Sequence, residues 1–132
     1  MNDSELHTYA FDEMHHRLRQ VRSYSLLDRD GSKTIIHAAL TTKGDELTES
    51  NPLNQKTLNL AANAADDGTL YPWLDPMDGK QSLLTLAQVR SLVESQTAFR
   101  NAMYDFLDRI WADIDAGVIT KFEQVDYAAW PS

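Results

Sequence analysis

Residues 85–116 constrain the fold of this chain more than any other stretch. Leu86, Val89, Val93, Phe99, Met103, Phe106, Ile110 and Ile114 recur at steps of three, four or six, and Gln96 fills the gap in the stripe. That spacing puts them on one face of a helix. Thr85 is placed to cap its start and Gly117 to stop it. About 30 residues at about 1.5 Å each give a rod of roughly 45 Å. The chain has 132 residues, so a single domain over 1–132 is the expectation. A rod of that length exceeds what such a domain requires. One end is therefore expected to pack on a neighbouring copy, giving a dimer or trimer.

The stretch before the rod alternates between helical and extended signals. Residues 5–22 read as a helix, with Leu6, Ala10, Met14, Leu18 and Val21 on one face. Asp3 or Ser4 would cap it. Arg17, Arg19 and Arg22 would occupy its last turns, where cations suit the helix dipole. Residues 23–27 and 34–38 are β-prone runs flanking Asp28-Arg29-Asp30-Gly31-Ser32, which predicts a hairpin. A short helix from Ser32 to Leu40 is the alternative. Lys43-Gly44-Asp45 is a further turn signal, with a short strand at 46–48.

Ser50 or Asn51 can cap a second helix, with Pro52 in its first turn. Leu53, Thr57, Leu60, Ala61 and Ala64 follow its spacing, and Asp66-Asp67-Gly68 would end it. Residues 69–81, with two prolines and a glycine, read as a loop carrying Trp73. Thr120 and Glu123 form a capping-box pattern for a last short turn over 121–125. An aromatic tail with Tyr127 and Trp130 closes the chain. The fold class is thus mainly α with a small β element, an α+β arrangement.

Composition excludes several functions. There are 12 basic and 20 acidic residues, a net charge of −8, which disfavours a phosphate backbone as partner. A basic protein surface fits better. With no cysteine, disulfides and thiolate metal sites are excluded. No apolar run reaches the roughly 18 residues needed to span a bilayer. The acidic start, Met-Asn-Asp-Ser-Glu, does not read as a secretory leader.

Each candidate for chemistry has a simpler structural reading. The loop from Asp28 hints at calcium, but its glycine comes two residues early and the twelfth position is Ala39, which has no side-chain donor. A turn accounts for it. His15 and His16 are adjacent, and His7 and His37 lack a partner at zinc spacing. Asp105, Asp108, Asp113 and Asp115 include pairs that could flank a glycosidic bond, yet a charged outer helix face explains them without a cleft. Trp73 with Asp75 and Asp78 could form a sugar platform. A plug over the core, with its N–H bonded to backbone, is the preferred reading. No nucleophile triad, phosphate loop or dinucleotide fingerprint is present. The chain therefore reads as a non-enzyme with no catalytic residue, cofactor or metal. Phe99, Met103, Phe106, Ile110, Trp111, Tyr127 and Trp130 are the candidate partner-binding residues, because aromatic and apolar anchors dominate interfaces.

The order of these features carries a resemblance. An Arg-rich helix leads to a short β segment with a glycine turn. Ser50-Asn51-Pro52-Leu53-Asn54-Gln55-Lys56-Thr57-Leu58 opens the next helix. Trp73 then precedes Asp78-Gly79, and Leu84-Thr85-Leu86-Ala87-Gln88-Val89 opens the long helix. Ile119-Thr120-Lys121-Phe122-Glu123-Gln124-Val125-Asp126 comes last. Over residues 17–130 the chain resembles a domain-of-unknown-function family of tailed-phage and prophage tail modules. In that family the domain often follows a segment similar to tail-fibre assembly proteins. No such segment is recognisable in these 132 residues. The resemblance implies a tail-fibre assembly factor or a minor tail component, bound to a tail or tail-fibre protein. Its location would be the host cytoplasm during assembly, or the virion tail. The rival expectation is a small host-directed inhibitor with an acidic binding face, and a carbohydrate-active enzyme stands behind it.

Overall fold

A computed structural model describes residues 2–43, 46–49 and 51–132. The elements in order are α1 (Asp3–Leu18), β1 (Arg22–Leu27), β2 (Lys33–Ala38), β3 (Leu40–Lys43), β4 (Glu46–Glu49), α2 (Pro52–Ala61), β5 (Tyr71–Leu74), β6 (Gln81–Leu84), α3 (Leu86–Asp115) and α4 (Phe122–Asp126). This is the α+β arrangement with a long C-terminal helix. The strands form three antiparallel pairs, β1–β2, β3–β4 and β5–β6. The turn expected at Gly44-Asp45 and the cap expected at Ser50 lie outside the described residues. The chain divides into two compact units. A central unit spans Arg19–Thr97, and a terminal unit combines Met1–Leu18 with Ala98–Ser132. Helix α3 contributes its first part to the central unit and the remainder to the terminal one.

The terminal unit is a set of helix faces. Leu6, Ala10, Met14 and Leu18 of α1 are all buried, at steps of four. Asn2, rather than Asp3 or Ser4, caps the helix, its Oδ1 accepting the Glu5 N–H at 2.8 Å. The helix stops at Leu18, four residues before the expected end. Val21 fits the period by coincidence but is 40% exposed, and Arg22 opens β1. Of the three arginines only Arg17 lies in the helix. It bonds Glu13 at 2.7 Å and the Asp126 carbonyl at 2.9 Å. In α4 the reciprocal cap comes from Gln124, not Glu123. The Gln124 Oε1 accepts the N–H groups of Thr120 at 2.7 Å and Lys121 at 3.0 Å.

The central unit buries Tyr24 and Leu26 from β1, Ile36 and Ala38 from β2, Tyr71 and Trp73 from β5, and Leu84 from β6. Ala61 from α2 and Leu86, Val89 and Leu92 from α3 complete this core. The hairpin is in the expected place. Ser25 pairs with Ile35, and Gly31 takes φ +83° in the connection, the left-handed region that favours glycine. The alternative short helix over 32–40 is therefore replaced by strand.

Three expectations are corrected here. Residues 69–81 are not a plain loop, because Tyr71–Leu74 pairs with Gln81–Leu84. Helix α2 ends at Ala61, before Asp66-Asp67-Gly68, and Leu60 is 56% exposed. The buried face of α3 carries Leu92 and Leu107 where Val93 and Phe106 were expected. Val93 is exposed and Phe106 half-buried. Adjacent apolar residues lie only about 100° apart on a helix, so spacing alone does not choose between them.

Helix α2 starts where its sequence says it should. Asn51 is extended and its side chain accepts the N–H groups of Leu53 at 2.9 Å and Asn54 at 3.3 Å, with Pro52 in the first turn. Replacing Asn51 with alanine should cost about 1 kcal/mol in urea denaturation, the usual loss for a cap.

Candidate functional site

In the central unit a cavity of about 420 Å³ lies between α2 and the first part of α3. Two polar anchors set the face of α2 that is left for it. Asn54 is fully buried and copies a strand partner. Its Nδ2 donates to the Leu74 carbonyl and its Oδ1 accepts the Leu74 N–H, both at 2.8 Å. Thr57 donates its hydroxyl to the Pro72 carbonyl. With Asn54 and Thr57 turned to β5, Leu58 and Ala62 fall to the cavity side, together with Ala61. From α3 come Val89, Arg90, Val93, Glu94 and Gln96.

Behind the cavity lies a buried acid. Glu49 is 6% exposed. Its Oε1 accepts the Ala39 N–H at 3.0 Å and its Oε2 accepts Nε2 of Gln96 at 3.2 Å. Its own N–H donates to Oε1 of Gln55 at 2.6 Å. These partners are neutral. Burial pushes the carboxyl up to about 7, while the bonds from Ala39, Gln96 and Asn54 oppose the rise without cancelling it. Tyr24 lies in the same field. Burial raises its phenol, Arg22 works against that, and Glu49 adds to it.

Glu49 was not among the residues singled out from sequence. The signal was Gln96, a polar residue inside an apolar stripe. A glutamine buried to 1% exposure must find partners in the fold. That reasoning demands a polar partner for Gln96 without saying which one.

The expected partner-binding residues lie together in the terminal unit, most of them turned inward. Phe99, Met103, Ile110 and Trp130 are buried, and Phe106 and Trp111 are half-buried. Trp111 donates to the His7 carbonyl at 3.1 Å, and Trp130 to the Val125 carbonyl at 2.9 Å. The Trp130 ring meets Phe106 at 4.8 Å and has the Arg17 guanidinium over it at 5.7 Å. The tail thus folds back on the unit's own helices. Tyr127 is 87% exposed and is the member of the seven that faces solvent.

Trp73 has no exposed surface, and its Nε1 donates to the His37 carbonyl at 3.0 Å. It offers no ring face to a sugar. Asp75 accepts both the backbone N–H of His37 at 3.1 Å and its ring nitrogen Nδ1 at 3.0 Å, and also the Met77 N–H at 2.8 Å. Burial alone would raise Asp75, but these bonds and the histidine hold it below its ordinary value. Asp78 accepts the Lys80 N–H at 2.8 Å. Both aspartates are thereby committed to shaping the β5–β6 turn.

In the β1–β2 connection, Asp28 accepts the Arg29 N–H and Asp30 the Ser32 N–H. Among the described residues, no three metal-ligating side chains come together. Asp105, Asp108, Asp113 and Asp115 are exposed along α3, and Asp115 pairs with His7 at 2.8 Å. No helix among the described residues is long and apolar enough to cross a membrane. No protein-family model, curated protein or solved structure matches the chain.

Proposed function

We propose that this chain works by binding another protein, without catalysis, as a component of a phage or prophage tail module. It acts as a tail-fibre assembly factor or a minor tail component, made in the host cytoplasm. The tail setting rests on the order of sequence features alone. The binding reading rests on the α2–α3 cavity. Its walls combine Leu58, Ala61, Ala62, Val89 and Val93 with a few polar groups, the composition of a groove that receives a partner's side chains. The hydrogen bonds of the His37–Asp75 pair hold a turn, which favours binding over chemistry there.

Tail particles made with the wild type and with Val93→Arg test this. Val93 is 40% exposed, so the arginine can reach solvent without disrupting the core. Peptides of the chain at stoichiometric copy number in purified particles identify a tail component. Abundance in the lysate, with fibreless particles when the gene is deleted, identifies an assembly factor. In either case Val93→Arg should lower incorporation or fibre attachment about tenfold or more, as losing a central interface anchor does. Normal particles after gene deletion, with no trace of the chain in them, would overturn the reading.

A further inference from the structure

Of the described groups bonded to Glu49, one can respond to a change in its charge. The Ala39 N–H, on Oε1 at 3.0 Å, can only donate. Asn54 also bonds the carboxyl, but its amide is fixed by the Leu74 N–H on Oδ1 and the Leu74 carbonyl on Nδ2, both at 2.8 Å. Gln55 is held at both ends, its Oε1 by the Glu49 N–H at 2.6 Å and its Nε2 by Oδ1 of Asn59 at 2.8 Å. That leaves Gln96. Its Nε2 donates to Oε2 of Glu49 at 3.2 Å, the bond an ionised carboxylate accepts. A protonated carboxyl instead carries an O–H that needs an acceptor. Among the described partners the Gln96 amide, turned end for end, supplies one. Gln96 is 1% exposed, so bulk water is no substitute, and it lines the α2–α3 cavity.

We propose that Gln96 is a two-position element set by the protonation of Glu49, with its carbonyl turned to the cavity when Glu49 is ionised and its NH₂ group turned there when Glu49 is protonated. The polar end of the cavity thus changes from hydrogen-bond acceptor to donor as pH falls. Burial among neutral partners puts the change in the neutral range, since it raises the carboxyl to about 7. On β1, Tyr24 feels the Glu49 charge and Arg22 bonds Tyr24. His37 of β2 is bonded to Asp75. Lys33 of β2, Lys56 of α2, and Arg90 and Glu94 of α3 are exposed, where water screens them. The device requires no occupant of the cavity, so it stands or falls apart from the docking reading.

The test is nuclear magnetic resonance of the isotope-labelled full chain, titrated from about pH 5.5 to about pH 8.5, either side of the Glu49 value. The Glu49 carboxyl carbon and the Gln96 side-chain NH₂ should shift with one shared midpoint, about 7. Nuclear Overhauser contacts from that NH₂ group to the methyls of Ala61 and Val93 should be present at the acid end and lost at the alkaline end. In Glu49→Gln the new amide donates to the Gln96 carbonyl at every pH, so those contacts should persist throughout. A carboxyl that titrates near its ordinary value of 4.5 would remove the input and overturn the proposal. A midpoint near 7 with Gln96 contacts that do not change would overturn it equally, by showing a titration that does not turn the amide.

Discussion

Replacing Trp73 with alanine is expected to lower stability by about 3–5 kcal/mol, the range for emptying a large aromatic site in a core. Trp73 has no exposed surface and sits among residues from five other elements of the central unit. The change also removes the donor to the His37 carbonyl. An acceptor deprived of its partner in a buried site adds to the loss. Domains of this size hold only about 5–15 kcal/mol in total, so the variant should lose a large share of its stability. Trp73→Phe loses the N–H and the second ring of the indole but keeps one aromatic ring in the core. It should fall between wild type and alanine in urea denaturation. A loss below about 1 kcal/mol for Trp73→Ala would show that this ring does not organise the unit.

The second large effect follows pH. The Glu49 carboxyl sits at about 7 in the fold, against an ordinary value of 4.5. Between those values the folded chain holds a proton that the unfolded chain has released. The stabilisation from that proton is complete below about pH 4.5 and is lost as pH rises through about 7. The interval corresponds to about 3 kcal/mol, at about 1.4 kcal/mol per pH unit. Asp75 works in the opposite direction. Its lowered value stabilises the fold above the ordinary carboxylate range and is lost only on acidification below it. Thermal stability should therefore peak near pH 5 and decline toward pH 8.

Glu49→Gln isolates this contribution. Its Oε1 can still accept the Ala39 N–H, and Gln96 can flip its amide to accept from the new NH₂ group. The variant should lose most of the decline and exceed the wild type at pH 8. Parallel pH profiles for the two proteins between pH 5 and 8 would contradict a buried, titrating Glu49. Glu49→Ala is expected to destabilise at every pH, since it leaves the Ala39 N–H and Gln96 without their partner.

Much of this fold was legible where one local rule decided the outcome. The α1 face follows a strict step of four. The β1–β2 hairpin announces itself by Gly31 between two β-prone runs. Asn51 and Pro52 mark the start of α2, and Thr85 marks that of α3, where the structure adds Gln88 as a reciprocal partner: Gln88 accepts the Thr85 N–H at 2.9 Å and Thr85 accepts the Gln88 N–H at 3.2 Å. The β5–β6 pair was hidden because each strand has only four residues and the intervening Pro76 and Gly79 dominate the local signal. What holds β5 is distant in sequence, the side chains of Asn54 and Thr57 on α2. The cavity and Glu49 were hidden for the same reason. A glutamate at the end of a polar run gives no local sign that Gln96, 47 positions away, will meet it in the core. The aromatic anchors of α3 looked like an interface because an apolar stripe does not say whether its own chain or another will cover it. In the terminal unit, α1 and the tail supply that cover.

Hydrogen–deuterium exchange of the chain, free and mixed with purified tail particles, tests the central claim most directly. Binding through the cavity predicts slowed exchange in the cavity-facing stretches of α2 and α3, residues 55–62 and 89–96, with Val93→Arg abolishing the change. Protection confined to the terminal unit around Tyr127, or no protection anywhere, would contradict a docking site between α2 and α3.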